Sequence, residues 1–258
     1  MITSLDNKYI KLAKKLQQKK YRKQESLFYI EGEHLVQEAL YSNLLSHVFH
    51  TTKYEVEDDA LWKENICVLD GLSGVIFEEV SDEIMQKVKL TDTPQGIFAI
   101  AKIPMTNLAQ TEQKIIVLDG VQDPGNVGTI IRTAVAFGST TILMTNDTVD
   151  PYNDKVLRAH QGMGFTVPII SGTASELCEI MNDFNCTNFV LDFEGTSIKE
   201  IDKNEFNSFA LIVGQEGQGI RPENWKTLTP REITIPMHEN AESLNVAIAT
   251  AIAMYELF

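Results

Sequence analysis

Short apolar runs and amphipathic stretches alternate along the first hundred residues. Between 4 and 17, Leu5, Tyr9, Leu12, Ala13 and Leu16 recur at spacings of three and four with lysines between them, which predicts an amphipathic helix with a basic outer face. The segment YRKQESLFYIEG reads as a loop running into a short strand at 27–30. Residues 33–41 have helical periodicity and 46–51 form another short strand. Residues 75–103 add an apolar strand, a polar helix at 81–88 and the strand 96–103. Elements of this size predict a small α/β domain over residues 1–103, followed by a polar, proline-containing linker at 104–113.

Beyond the linker the pattern changes to continuous apolar strands, at 115–118, 141–145, 189–193, 209–213 and 232–235. Helical segments separate them at 126–137, 154–160 and 174–182, and a last one covers 243–258. Strands without alternation, spaced by helices, predict an α/β domain with a parallel sheet covered on both faces over residues 114–258. The last helix, SLNVAIATAIAMYELF, is apolar nearly all round, so it is expected to be buried on more than one side. A central core helix would satisfy that; a homodimer interface is the expectation here.

Composition adds exclusions. With 43% hydrophobic and 22% charged residues in 258, disordered, collagen-like and coiled-coil readings drop out. No apolar run reaches the roughly 18 residues of a membrane span, and MITSLDNKYIKLAKKLQQKK has no apolar signal-peptide core, so a cytoplasmic chain is expected. Cys67, Cys178 and Cys186 form no CxxC pair, which favours buried thiols over a disulfide framework or zinc ribbon. The net charge of −14 hides an asymmetry: residues 1–23 carry +7 and the rest −21. A basic end on an acidic body fits one polyanion-facing surface, and equally a solvated amphipathic helix.

Three segments that follow predicted strands could carry chemistry, since ligands of open α/β sheets gather at such loops. In LDGVQDPGNVGTIIRTAVAFG, Asn126 stands where an N-cap would fall, and Arg132 interrupts an apolar helix face. The bland alternative pairs Arg132 with Asp119 or Asp123. The segment has neither GxGxxG nor a GKS/T ending, so a standard dinucleotide or P-loop site is not supported. In LIVGQEGQGIRPENW, Gly214, Gly217 and Gly219 allow close backbone approach, Glu216 is presented in the turn, and Arg221 and Pro222 open the next helix. In ITIPMHENAESLNVAIA a polar loop leads to Ser243 and Asn245 at the head of the apolar helix, where N-capping by Ser243 is the plainer reading. His238-Glu239 is not a zincin motif and the five histidines form no metal cluster, so no metal is expected.

In this order the segments resemble the SpoU/TrmH family of RNA ribose 2′-O-methyltransferases in the SPOUT superfamily. The first motif is matched by Asp123, Pro124, Asn126, Gly128 and Arg132; the second by Gly214, Glu216, Gly217 and Gly219; the third by Ile235, Pro236 and Met237 with Glu242, Ser243, Leu244, Asn245 and Val246. NKYIKLAKKLQQKKYRKQESLFYIEGEHLVQEAL and TPQGIFAIA resemble the substrate-binding domain of the ribosomal-RNA branch. The resemblance implies a catalytic domain with a deep trefoil knot, S-adenosyl-L-methionine as cofactor, large-subunit ribosomal RNA as substrate, and a homodimer through the catalytic domain. In that dimer the first-motif arginine lies near the partner's cofactor site. It implies Gly214, Gly219, Ile235, Met237 and Leu244 as cofactor-binding residues, and Arg132, Asn126, Glu216, Ser243 and Asn245 as the catalytic set. Lys8, Lys11, Lys15, Tyr21, Arg22 and Lys23 would grip RNA phosphates. Arg132 is read as a phosphate clamp favouring the alkoxide rather than as the base, because a guanidinium holds its proton. Gln215, Glu239 and His160 depart from the family pattern. Two other readings stay open: a transfer-RNA ribose 2′-O-methyltransferase, and a non-enzymatic RNA-binding ribosome-assembly factor.

Overall fold

The computed structural model describes residues 1–52, 54, 75–105, 108 and 112–258. Cys67 and part of the expected linker lie outside them. The chain forms two compact units: residues 1–104 with 152–165, and residues 105–151 with 166–258.

In the first unit, α1 (Lys8–Leu16) is followed by a second helix, α2 (Lys19–Glu25), where the sequence pattern predicts a loop. This helix carries no apolar stripe, and Ser26 ends it in the left-handed conformation at φ 54°. Then come β1 (Leu27–Glu31), α3 (Glu33–Tyr41), β2 (Leu45–Thr51), β3 (Ile76–Val80), α4 (Asp82–Val88) and β4 (Ile97–Lys102). The sheet order is β1-β4-β2-β3; only the β2–β3 pair is parallel. Both faces are covered. Phe28, Ile30, Ala99 and Ala101 pack with Leu35 and Val36 of α3, while Tyr29, Phe98 and Ile100 face Ile10, Ala13 and Leu16 of α1. The period-two alternation thus feeds two cores instead of one core and solvent. The helix α5 (Asp154–His160), whose sequence lies in the second half of the chain, belongs to this unit through Leu157, with Phe165 beside it.

The second unit holds six strands: β5 (Lys114–Asp119), β6 (Thr141–Thr145), β7 (Ile169–Gly172), β8 (Thr187–Ser197), β9 (Phe209–Gly214) and β10 (Arg231–Thr234). All pairings are parallel, in the order β10-β8-β9-β5-β6-β7. The sequence pattern does not predict β7, because IISG is short and its side chains are only partly buried. The helices are α6 (Pro124–Ala136), α7 (Ala174–Asp183), the single turn α8 (Pro222–Trp225) and α9 (Val246–Leu257). Ile115, Val117, Ala210 and Ile212 meet Leu177, Met181 and Trp225 on one face of the sheet. Ile116, Leu118, Leu211 and Val213, of opposite parity, are buried as well.

Two helix starts differ from the sequence expectation. Asp123 caps α6, accepting from the Asn126 N–H at 2.8 Å, so Asn126 is a first-turn residue and not the cap. Asn245, not Ser243, caps α9, accepting from the Ala247 and Ile248 N–H groups at 3.0 and 3.3 Å. Among the described residues no helix is long and apolar enough to cross a membrane.

Candidate active site

The chain runs outward through β5, β6 and β7, then returns to place β8 and β9 on the other side of β5, so the strand order reverses at the β5–β9 pair. Carboxyl ends of strands at such a reversal leave a crevice. Here the middle of β8, the ends of β9 and β10 and the head of α9 line a cleft of about 260 Å³.

The β9 end supplies a closed five-residue turn. Gln215 N–H donates to the Gly219 carbonyl at 2.9 Å and Gly219 N–H to the Gln215 carbonyl at 2.8 Å. Gly214 must be glycine for packing: an added Cβ would lie 2.2 Å from the Gly219 carbonyl carbon and oxygen. Gly217 and Gly219 are needed for conformation, at φ 75° and 71°, and a Cβ on either would meet nothing within 4 Å. That leaves an open backbone surface facing the cleft.

Glu216, carried by this turn, joins two distant asparagines. Its Oε1 accepts from Asn126 Nδ2, through a short hydrogen bond, and from Asn245 Nδ2 at 3.0 Å. Asn245 Nδ2 also reaches Asn126 Oδ1 at 3.0 Å. The Asn245 amide thus works twice, with oxygen on the helix N-terminus and nitrogen on the other two side chains. Gly214, Gly219, Ile235, Met237 and Leu244 all line the cleft, as do Glu216, Ser243 and Asn245. A second cleft of about 350 Å³ adjoins it, sharing Gln215 and Glu216 and adding Val121, Gln122, Asp123 and Pro124.

Arg132 is not in either lining. It is exposed on α6, in line with exposed Thr129 and Ala136. It is not bound to Asp119 or Asp123 either: Asp119 pairs with Arg221, and Asp123 is the helix cap. Of the three departures from the family pattern, Gln215 closes the glycine turn and Glu239 is exposed. His160 is 1% exposed inside the first unit, and its Nδ1 accepts from Gly162 N–H at 3.1 Å, so it is outside the cleft. Burial pushes the His160 imidazole down to about 4.

Sequence periodicity does not assign the segment 191–195 to the site. β8 pairs with β10 at Val190–Glu232 and resumes at Thr196–Ile233, so the intervening residues leave the ladder. Leu191, Asp192 and Phe193 of this bulge enter the cleft lining. Thr234 Oγ1 donates to the Phe193 carbonyl at 3.0 Å, and Gly195 adopts φ 129° where its Cβ would strike the Glu232 backbone at 2.5 Å. The legible signal is a glycine inside an otherwise continuous strand pattern, which marks a bulge or close backbone approach.

In the first unit, Lys8, Lys11, Lys15 and Lys23 are exposed. The Lys8 Nζ sits 4.5 Å from the Tyr9 ring centroid, Lys11 pairs with Asp6 at 2.7 Å, and Lys15 and Lys20 flank the half-buried Tyr21 ring. Arg22 differs from these lysines in its surroundings. It is 5% exposed and its Nη1 donates to the Leu16 carbonyl at 2.8 Å, which places its charge at the C-terminus of α1. Cys178 and Cys186 are free thiols, and burial lifts Cys186 to about 11. Among the described residues no group of three or more His, Cys, Asp or Glu side chains could hold a metal ion.

The cleft suits an adenosyl amino acid. It has an apolar wall from Leu191, Phe193, Ile235, Met237 and Leu244, an open glycine backbone, and the carboxylates of Asp192 and Glu216. Comparison with known proteins agrees. Residues 113–255 match the SpoU rRNA Methylase family, and residues 7–99 match an MRM3-like substrate binding domain. The chain is 36% identical, over 99% of its length and 98% of the relative's, to the 23S rRNA (guanosine(2553)-2′-O)-methyltransferase RlmP of Bacillus subtilis. It is 25% identical, over 92% of its length and 68% of the relative's, to the human mitochondrial rRNA methyltransferase 3. The AdoMet-bound rRNA methyltransferase of Sinorhizobium meliloti superposes with a TM-score of 0.84 at 27% identity, covering 99% of this chain and 96% of that one.

Proposed function

The chain belongs to the SpoU rRNA methylase family, and we propose that it transfers a methyl group from S-adenosylmethionine to a ribose 2′-hydroxyl of large-subunit ribosomal RNA. The observation that carries the reading is the meeting of Asn126, Glu216 and Asn245, three residues far apart in sequence, at the rim of a cleft shaped for that cofactor. The relatives that act on 23S ribosomal RNA, and the first unit's match to a substrate-binding domain, support the RNA class.

When bound, the cofactor supplies a sulfonium-activated methyl group open to in-line attack by an oxygen nucleophile. The chain's part is to hold the cofactor, orient the hydroxyl and favour loss of its proton. Gly214 and Gly219 would present backbone to the cofactor; Ile235, Met237 and Leu244 would cover its apolar parts. Asn126 and Asn245 hold Glu216 in one pose, and Ser243 stands beside them, so these side chains would orient the ribose. The adjoining cleft offers the acceptor nucleotide a place that shares Glu216 with the cofactor cleft. Arg132 would clamp the RNA phosphate and stabilise the developing alkoxide electrostatically.

A homodimer through the second unit fits this role. In α9, Ile248 and Tyr255 are 54% and 71% exposed, and Phe137, at the end of α6, is 37% exposed. Apolar side chains this exposed on two neighbouring helices ask for a partner surface. Covering them with a second copy would bring the exposed Arg132 face of α6 toward that copy. The exposed Lys8, Lys11, Lys15 and Lys23 are the candidate RNA-gripping groups, and the place of work would be the cytoplasm, where ribosomes assemble.

The test is methyl transfer from radiolabelled S-adenosylmethionine to RNA from a host lacking the gene, split into ribosomal and transfer fractions, with Arg132→Ala beside the wild type. Label in large-subunit RNA that the variant fails to give is expected. Label confined to transfer RNA overturns the substrate; no label and no cofactor binding would leave the RNA-binding assembly factor.

A further inference from the structure

Asp119, the last residue of β5, is 1% exposed and yet carries a carboxylate. Five nitrogens on three residues donate to it, and all come from one short segment. Arg221 gives its backbone N–H at 3.0 Å and its Nε at 3.1 Å, with a shorter bond from Nη2. Trp225 Nε1 adds a bond of 2.9 Å, and Asn224 Nδ2 approaches at 3.5 Å. The other side of the Arg221 fork reaches the carboxylate of Asp147, just beyond β6, at 2.7 and 3.1 Å. Gly120, at φ 74°, keeps the space between them: a Cβ there would sit 3.3 Å from both Arg221 Nη2 and Asp147 Oδ2.

The consequence lies in where Arg221 stands. The glycine turn 214–219 enters from β9, where Gly214 is paired in register with Asp119 itself. It leaves through Ile220 into Arg221, whose backbone and side chain return to the same carboxylate. Both stems of the turn therefore end on Asp119. The turn's own two bonds fix its closure but not its tilt against the sheet. Arg221 does not line the cleft. Bidentate, doubly paired and set against a buried carboxylate, this guanidinium has a fixed geometry that a surface ion pair lacks.

We propose that Arg221, held between Asp119 and Asp147, is a positioning residue that sets the pose of the 214–219 turn, and through it the cofactor cleft and Glu216. This rests on the cleft being the S-adenosylmethionine site. Losing the clamp leaves every group that touches the cofactor in place chemically, but lets the turn that presents them tilt. Lysine can meet one carboxylate as a point charge but cannot fork between two.

The experiment measures S-adenosylmethionine affinity by calorimetry, KM and kcat, on the full chain carrying Arg221→Met, Arg221→Lys or Asp147→Asn, with thermal melts of each without ligand. The expected result is at least about a tenfold loss of affinity in Arg221→Met, a KM for the cofactor that rises more than kcat falls, and partial recovery in Arg221→Lys. Asp147→Asn, which removes only the exposed partner, should fall between wild type and Arg221→Met. If Arg221→Met does not fold, the Lys and Asn variants still decide. Unchanged affinity in folded variants overturns the proposal, and so does a loss no larger than the unfolded fraction explains. Failure of the wild type to bind the cofactor would instead bring down the functional reading on which this rests.

Discussion

Replacing Asn245 separates two duties that one amide performs. Its Oδ1 caps α9 through the Ala247 and Ile248 N–H groups, and its Nδ2 ties Asn126 to Glu216. Asn245→Ala removes both. Losing an N-cap costs about 1 kcal/mol, and two solvent-exposed side-chain hydrogen bonds add roughly 1 kcal/mol together. At about 2–4 °C per kcal/mol for a unit of this size, the melting temperature should fall by roughly 4–8 °C. Asn245→Ser keeps a capping oxygen but cannot reach across, so its loss should be only about 2–4 °C. Both variants should lose methyl transfer by a similar factor, on the order of 100-fold in kcat, because the orienting groups are no longer fixed. Thermal melts and single-turnover assays on the three proteins give the comparison. An Asn245→Ser enzyme that turns over like the wild type would refute the positioning role, and one as unstable as Asn245→Ala would refute the cap.

Three more outcomes follow from other parts of the molecule. Gly214→Ala places a Cβ against the Gly219 backbone, which cannot step aside as a flexible side chain could, so cofactor affinity should drop by more than about tenfold in a titration. The buried His160 is neutral when folded and titrates at about 4 against an ordinary value of 6.5, so the unfolded chain takes up its proton first as the pH falls. Its contribution is complete above pH 6.5 and is lost between there and about 4, up to roughly 3 kcal/mol; urea melts of His160→Asn, which keeps an acceptor for Gly162, should show a flatter acid limb. Changing Lys8, Lys11 and Lys15 together to glutamine should weaken RNA binding and lower the slope of log affinity against log salt by as much as about 0.7–0.9 for each phosphate no longer neutralised. Arg22→Ala should instead lower the melting temperature and leave that slope alone, which a salt titration on both variants would distinguish.

Local chemistry along the chain is enough for most elements and for the identity of the polar residues at the cleft. Strand and helix periods are readable because each apolar position is set by neighbours two, three or four residues away. The motif glycines are readable because only glycine accepts the φ of 217 and 219 or the close approach at 214. What stays hidden depends on partners distant in sequence. The α2 helix has no amphipathic stripe to announce it, and Arg22 looks like one more cation until the fold turns it onto the end of α1. The bulge at 191–195 exists because β10 pairs on either side of it, a register that β8 cannot encode by itself. Asn126, Glu216 and Asn245 are each visible as polar residues after strands, but their mutual bonds need the crossovers of a parallel sheet to bring three loops to one edge. The sequence by itself determined which residues this protein could use. The tertiary structure decided which of them meet, because hydrogen bonds and charge pairs act over a few ångströms while the chain separates their partners by as many as 119 positions.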